Sequence, residues 1–179
     1  MTRVAILGAT GYAALELIQI LLRHPQAKIT LLTSRQEGQP HVSEVHPCLT
    51  AMLDLRCEMF DADRVAKSAD CVFSTLPHTA SMEACSELVD RGCKVIDFSA
   101  DYRLCDPNVY AEWYGASHTD VKHLREAVYG LPEIYAEEIR SARLIANPGC
   151  YPTAAVLGLA PLAAGGLIEL DGIVVDSKS

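Results

Sequence analysis

The sequence predicts an α/β chain built on a doubly wound, mainly parallel sheet, and three observations carry that expectation. Short β-branched and apolar runs alternate with segments of helical period along most of the chain. The first of them form a strand, a glycine loop, a helix and a second strand within about 30 residues, the length of one βαβ unit. Half of the 179 residues are hydrophobic, enough to cover both faces of such a sheet.

The elements follow in order. Arg3 to Leu7 reads as a strand and leads into Gly8-Ala9-Thr10-Gly11-Tyr12. Ala13 to Arg23 carries leucine or isoleucine at 15, 17, 18, 21 and 22, a helical spacing stopped by Pro25. Lys28 to Thr33 is the second strand, and residues 34–53, aperiodic and with two prolines, read as a long loop. A strand at Arg56 to Met59 and a short helix at Asp61 to Lys67 come next. Asp70 to Leu76 is a strand ended by Pro77-His78, and Thr79 to Arg91 is a helix closed by Gly92 where a left-handed residue is wanted. Lys94 to Phe98 is a strand, and Asp106-Pro107 caps a helix that runs to Trp113. Pro132 to Arg140 is helical and Arg143 to Ala146 extended. Asn147-Pro148-Gly149-Cys150 then turns the chain into an apolar helix ending near Ala164, and Ile173 to Asp176 is a last strand. No internal repeat is visible.

Several function classes are excluded. Net charge is −8, with residues 1–35 at +3 and the remainder at −11, so the basic footprint of a nucleic-acid binder is missing. The longest apolar stretch, Ala154 to Ile168, holds Pro161 and three glycines and falls short of the roughly 20 residues of a membrane span. The N-terminal apolar run is too short for a signal-peptide core, so a cytoplasmic protein is expected. The seven cysteines are odd in number and lack Cys-x-x-Cys spacing, which argues against a disulfide framework and a structural zinc site; no metal is expected.

Several places suggest chemistry. Gly8-Ala9-Thr10-Gly11 lies between a strand and a helix, where glycines let the backbone approach a pyrophosphate at a helix N-terminus. Thr10 and Ala13 stand where the strict fingerprint has glycine, so a tight turn without a ligand is the competing reading. At the end of the second strand, Thr33-Ser34-Arg35 offers hydroxyls and a guanidinium where an NAD site places a carboxylate; that suits the 2′-phosphate of NADP, against a merely solvated arginine. Cys150 opens a helix after a Pro-Gly turn, where the positive end of the dipole favours negative charge, a setting for a nucleophile rather than an inert thiol. His78 follows a strand's carboxyl end, where open α/β sheets bind ligands. Arg103 either binds a substrate anion or pairs with Asp101. His24, His41, His46, His118 and His123 fall in loops or on polar helix faces and receive no chemistry. No tyrosine has lysine four positions on, which removes the short-chain dehydrogenases.

Seven segments together carry a resemblance: Gly8 to Tyr12, Glu16-Leu17, Thr33-Ser34-Arg35, Leu76-Pro77-His78, Asp97 to Arg103, Tyr129-Gly130-Leu131-Pro132-Glu133, and Asn147 to Thr153. In that order the chain resembles the N-terminal half of the N-acetyl-γ-glutamyl-phosphate reductases, relatives of aspartate-semialdehyde dehydrogenase. The resemblance implies a Rossmann-type NADP-binding domain over 1–149 and the beginning of an incomplete α+β substrate domain over 150–179. It implies Cys150 as nucleophile in NADPH-dependent reductive dephosphorylation of an acyl phosphate. Gly8, Ala9, Thr10, Gly11, Tyr12, Ser34, Arg35, Leu76, Pro77, His78 and Ser99 are the implied cofactor contacts, and Arg103 and Asn147 the implied substrate contacts. A homo-oligomer is implied as well. Two departures stand out. Ala14 occupies a position where the family usually has glycine, and the family runs to about twice this length, its acid/base histidine lying in the later half. The expectations are therefore NADPH binding without turnover by this chain alone, and an uncovered apolar helix after Cys150. A reductase of aspartate-semialdehyde type and a dinucleotide-binding module without catalysis are the alternatives.

Overall fold

All seven strands run parallel, so their carboxyl ends lie along one edge of the sheet. The structure, a computed structural model, describes residues 1–178. In chain order the elements are β1 (Thr2–Leu7), α1 (Tyr12–Leu22), β2 (Ala27–Thr33), α2 (Val42–Val45), a 3-10 turn (Pro47–Leu49), β3 (Cys57–Glu58), α3 (Ala62–Ser68) and β4 (Cys71–Ser74). There follow α4 (Ala80–Asp90), β5 (Lys94–Asp97), α5 (Pro107–Tyr114), α6 (Val121–Leu124), β6 (Val128–Tyr129), α7 (Pro132–Ser141), β7 (Leu144–Ala146) and α8 (Cys150–Ala164). The strand order is β3-β2-β1-β4-β5-β7-β6. The chain thus leaves β1 toward β2 on one side and returns to β4 on the other, the Rossmann-like arrangement in which the first and fourth strands flank the reversal of direction.

Alternation along β1 shows why the sheet is covered twice. Val4 and Ile6 pack with Ala14, Leu17, Ile18 and Leu21 of α1 on one face. Ala5 and Leu7 point to the other, where they meet Val65 of α3, Leu88 of α4 and Val72, Val95 and Leu144 of the neighbouring strands. Punctuation follows the sequence closely. Asp61 caps α3 by accepting from the Arg64 N–H at 2.7 Å, and Asp106 caps α5 in front of Pro107. Gly92 takes φ 82° after α4.

Two expectations are corrected. The stretch 34–53 is not structureless: α2 and the 3-10 turn fold it back onto the sheet because Val42 and Leu49 bury completely in the α1-side core. Ile173 to Asp176 is not a strand. Among the described residues the sheet ends at β6 and no strand stands beside this segment, and Ile173, Val174 and Val175 are 43%, 87% and 54% exposed. Strand β6 and helix α6, two and four residues long, escaped the sequence reading because such lengths show no period. Helix α8 buries none of its 15 residues, as expected of an apolar helix with nothing packed on it. Among the described residues no helix is long and apolar enough to cross a membrane.

One ion pair ties the start of β1 to the start of β4. Arg3 Nη2 donates to Asp70 Oδ1 at 2.6 Å and the Arg3 N–H to Oδ2 at 2.9 Å. Chiefly through the side-chain bond from Arg3, the Asp70 carboxyl is held at about 2. A carboxyl lowered in the folded state adds stability above its unfolded value of about 4 and loses it as pH falls toward 2. Urea midpoints of the unmodified protein and Asp70→Asn should therefore separate above pH 4 and converge near pH 2; a gap independent of pH would contradict this role.

Candidate active site

The glycine loop is wedged between two strand ends. The N–H groups of Gly8 and Ala9 both donate to the Thr33 carbonyl at the end of β2, at 3.1 and 2.9 Å. On the other side Thr75 Oγ1, just past β4, donates to Leu7 O at 2.7 Å and to Gly8 O at 3.1 Å. Gly8 takes φ 79°, and a Cβ there would stand 3.2 Å from Thr75 O and 3.3 Å from Leu76 Cδ2. Glycine is therefore required both by conformation and by space. Helix α1 begins at Gly11 with no side-chain cap and no acid in its first turn, so its leading N–H groups are available to an anion. The Ala14 methyl is wholly buried in the α1-side core.

Beside this loop lies a pocket of about 170 Å³. Gly8, Ser34, Arg35 and Leu76 line it together with Phe60, so the structure assembles four of the expected cofactor residues around one cavity. Its far wall is one face of α4, Ala80, Glu83, Ala84 and Glu87. The sequence reading missed that wall, although the i, i+3, i+4, i+7 spacing was there to be seen. It also missed His46, which is buried rather than on a polar face and bonds through Nε2 to the Ala9 carbonyl at 2.9 Å, bracing the loop from the segment read as irregular.

A second group forms at the ends of β5 and β7. Cys150 is exposed and is the first residue of α8, whose N-cap, Gly149, offers no side chain and whose first turn holds no acid. Arg103 does not pair with Asp101. Its Nε donates to the Asn147 carbonyl and its Nη2 to the Phe98 carbonyl, both at 2.8 Å, so it ties the turn before Cys150 to the end of β5. A Cβ on Gly149 would come within 3.2 Å of Arg103 Nη1 and 3.3 Å of Pro152 Cδ. Asn147 is anchored by its N–H to Asp97 O at 2.8 Å, and its side-chain amide reaches only Pro148 O at 3.2 Å. Ser99 is buried and gives its hydroxyl proton to Asp97 Oδ2 at 2.5 Å. His78 is exposed, its Nδ1 accepting the Ala100 N–H at 2.9 Å. Pro77 and Thr10 lie on the loops at this edge, and Tyr12, the first residue of α1, is 90% exposed.

His118 and His123, expected in loops or on polar helix faces, are buried. His118 Nε2 donates to Asp101 O at 2.8 Å and His123 Nδ1 bonds Asp120 Oδ2 at 2.8 Å, both in packing behind the cleft. Burial pushes the Cys71 thiol up to about 11 and the Cys85 thiol well above its ordinary value, leaving Cys48, Cys105 and Cys150 as the exposed thiols.

A glycine turn at the sheet's switch point, an open helix N-terminus and an adjoining pocket are what a dinucleotide site needs, and the comparison with known families agrees. The family described as "Semialdehyde dehydrogenase, NAD binding domain" matches residues 3–142. The chain belongs to this family. Curated relatives of this semialdehyde dehydrogenase NAD-binding domain include N-acetyl-gamma-glutamyl-phosphate reductases. That of Rhodopirellula baltica is 52% identical over 178 residues, 99% of this chain and 51% of the relative. That of Desulforudis audaxviator is 49% identical over the whole chain and 52% of the relative. The chain thus spans about half the length of the curated relatives it matches. Among solved structures, aspartate semialdehyde dehydrogenase with NADP from Candida albicans superposes with a TM-score of 0.73 at 17% identity, over 94% of this chain and 48% of that one. The Vibrio cholerae aspartate semialdehyde dehydrogenase II gives 0.60 at 19%, over 92% and 47%. At those identities the likeness shows the fold.

In this NAD-binding domain Gly8→Ala forces a β-carbon into the left-handed region and against Thr75. It should cost about 1–3 kcal/mol in urea unfolding. A change below a few tenths of a kcal/mol would mean that the loop is not held as described.

Proposed function

We propose that the chain is the nucleotide-binding part of an NADPH-dependent reductase that converts N-acetyl-γ-glutamyl phosphate to N-acetylglutamate semialdehyde through a thioester on Cys150. The observation that carries this reading is the exposed Cys150 at the open N-terminus of α8, on the same edge of the sheet as the glycine loop. Identities of 46–52% with the reductases, along the whole chain, support it over the aspartate enzymes, whose likeness is one of fold.

The residues fit a bound NADP. Its diphosphate would be received by the α1 N-terminus past Gly8 and Gly11, and its 2′-phosphate by Ser34 and Arg35 in the pocket. NADPH held there supplies the hydride that takes the thioester to the aldehyde level. Cys150 Sγ attacks the acyl carbon, the carbon–oxygen bond to phosphate breaks, and phosphate leaves. Negative charge gathering on the carbonyl oxygen meets the leading N–H groups of α8 and the Arg103 guanidinium, which stands against Gly149. Asn147 acts here by fixing the turn. Residues 1–149 form the nucleotide-binding unit and 150–179 open the substrate-carrying part, a division supported by an α8 that buries nothing against the sheet. The reading extends to a cytoplasmic protein that self-associates; seven unpaired cysteines and the uncovered apolar α8 support these two points.

Two outcomes follow. Arg35→Ala should remove about 1.5–3 kcal/mol of the preference for NADPH over NADH, measured by calorimetry; equal affinity for the two cofactors in the unmodified protein would sink the NADP assignment. Incubation with N-acetyl-γ-glutamyl phosphate should release phosphate and leave an acyl adduct that peptide mass mapping places on Cys150. The adduct should be absent in Cys150→Ala and scarcer with β-aspartyl phosphate. Acylation at another cysteine would overturn the mechanism.

A further inference from the structure

The turns that follow β4 and β5 are locked together by paired bonds. Ala100 N–H donates to His78 Nδ1 at 2.9 Å, and one residue further on Thr79 N–H donates to both Asp101 carboxylate oxygens, at 2.9 and 3.1 Å. Asp101 is fully buried and also accepts from the Tyr110 hydroxyl at 2.8 Å. Thr79 is the residue before α4, so the carboxylate lies at the positive end of that helix. Thr79 itself takes φ 66°, ψ −40°, which a β-branched side chain avoids, and its hydroxyl makes no capping bond in return. Strain of this kind persists only where the surroundings over-determine it, and it gathers at ligand sites.

The bond from Ala100 sets the proton of the neighbouring ring. An imidazole whose Nδ1 accepts a backbone N–H carries its proton on Nε2. His78 is exposed, so that donor is open to a ligand. Its place along the sheet edge says which part of a ligand it meets. Ser34 and Arg35 follow β2, the glycine loop follows β1, His78 follows β4, Ser99 follows β5, and Cys150 follows β7. A dinucleotide with its 2′-phosphate at β2 and its diphosphate at β1 therefore brings its nicotinamide half to β4 and β5.

We propose that Asp101 is a positioning residue. Through the strained Thr79 peptide it fixes His78 with Nε2–H presented to an acceptor oxygen on the nicotinamide half of the dinucleotide. This rests on the NADP reading above, and 2′,5′-ADP, which lacks the nicotinamide half, separates the two.

In titrations of the protein, His78→Ala and Asp101→Ala should each weaken NADPH binding about five- to tenfold and leave 2′,5′-ADP binding unchanged. Asp101→Asn keeps an oxygen for the Thr79 N–H and should stay within about twofold of the unmodified protein. Thr79→Gly in the Asp101→Ala background should restore affinity, because glycine takes a positive φ without the clamp. Nitrogen-15 spectra of the histidines should show His78 protonated at Nε2 in the unmodified protein and in Asp101→Asn, and tautomer averaging in Asp101→Ala. Unchanged NADPH affinity and an unchanged His78 spectrum in a destabilised Asp101→Ala would overturn the proposal, as would equal losses for NADPH and 2′,5′-ADP. His78→Ala changes an exposed side chain and decides the matter alone if Asp101→Ala does not fold: undiminished NADPH affinity overturns the proposal and leaves the NADP reading standing. Failure of the unmodified protein to bind 2′,5′-ADP overturns both.

Discussion

The close approach of Gly8 to the end of β4 is the constraint on which the rest depends. A parallel sheet puts every strand's carboxyl end on one edge, but only where the chain reverses direction do two adjacent ends diverge and leave a crevice. At that point the loop after β1 is held from both sides, by the Thr33 carbonyl and by Thr75. A side chain at Gly8 would press its Cβ on Thr75 O, which would have to give way, and would hold the backbone in the left-handed region. With the loop fixed, the axis and N-terminus of α1 are fixed too. Every candidate site residue then takes its place by strand order along the same edge.

Three helices of that edge differ in how their N-termini are finished, and the difference sorts what each can bind. Helices α1 and α8 start at glycines, without a capping side chain and without an acid in the first turn. Helix α4 starts at Thr79, and its positive end already holds the Asp101 carboxylate. Two open ends and one closed end leave room for two anionic groups, and these flank His78 in strand order. A body of net charge −8 would repel such ligands at long range, so local placement of Arg35 and Arg103 matters more here than total charge.

Features that depend on neighbours in sequence were legible in sequence. The βαβ unit, the Asp106-Pro107 start of α5, Gly92 after α4 and the Pro-Gly turn before Cys150 all follow from local backbone chemistry. What could not be read depends on partners distant in the chain. Arg103 is an example: its proximity to Asp101 in sequence suggests an ion pair, but folding puts the Asn147 and Phe98 carbonyls around its guanidinium and gives Asp101 to Thr79 and Tyr110. His46 is another, bonded across 37 positions to Ala9. Ile173 to Asp176 failed in the opposite sense, since β propensity without an adjacent strand to bond leaves a segment exposed. The acidic wall of the pocket beside the glycine loop, Glu83 and Glu87, had the right spacing, but nothing local says what a helix face looks toward.

The polar groups behind the cleft explain how the edge keeps its register. Asp97 accepts from Ser81 and Ser99, Ser81 bonds Ser74, and Asp101 accepts from Thr79 and Tyr110. Asp120 accepts from the Tyr102 hydroxyl and bonds His123. Among the described residues no buried side-chain nitrogen or oxygen is left without a partner. Burial nonetheless pushes the Asp97 carboxyl above the usual carboxylate range, so its hydrogen bonds do not fully offset the loss of water. Networks of this kind add little net stability compared with apolar packing of the same volume. Their effect is directional. Apolar contacts between α4 and the sheet would tolerate a slide of that helix, whereas the bonds that Ser81 and Thr79 donate to Asp97 and Asp101, and the one the Met82 carbonyl accepts from the Tyr102 hydroxyl, do not. The height of α4 sets both the wall of the pocket beside the glycine loop and the turn that carries His78. A carboxylate that gains little stability from its burial is thus well suited to hold the glycine-loop pocket and the turn before Cys150 in one register.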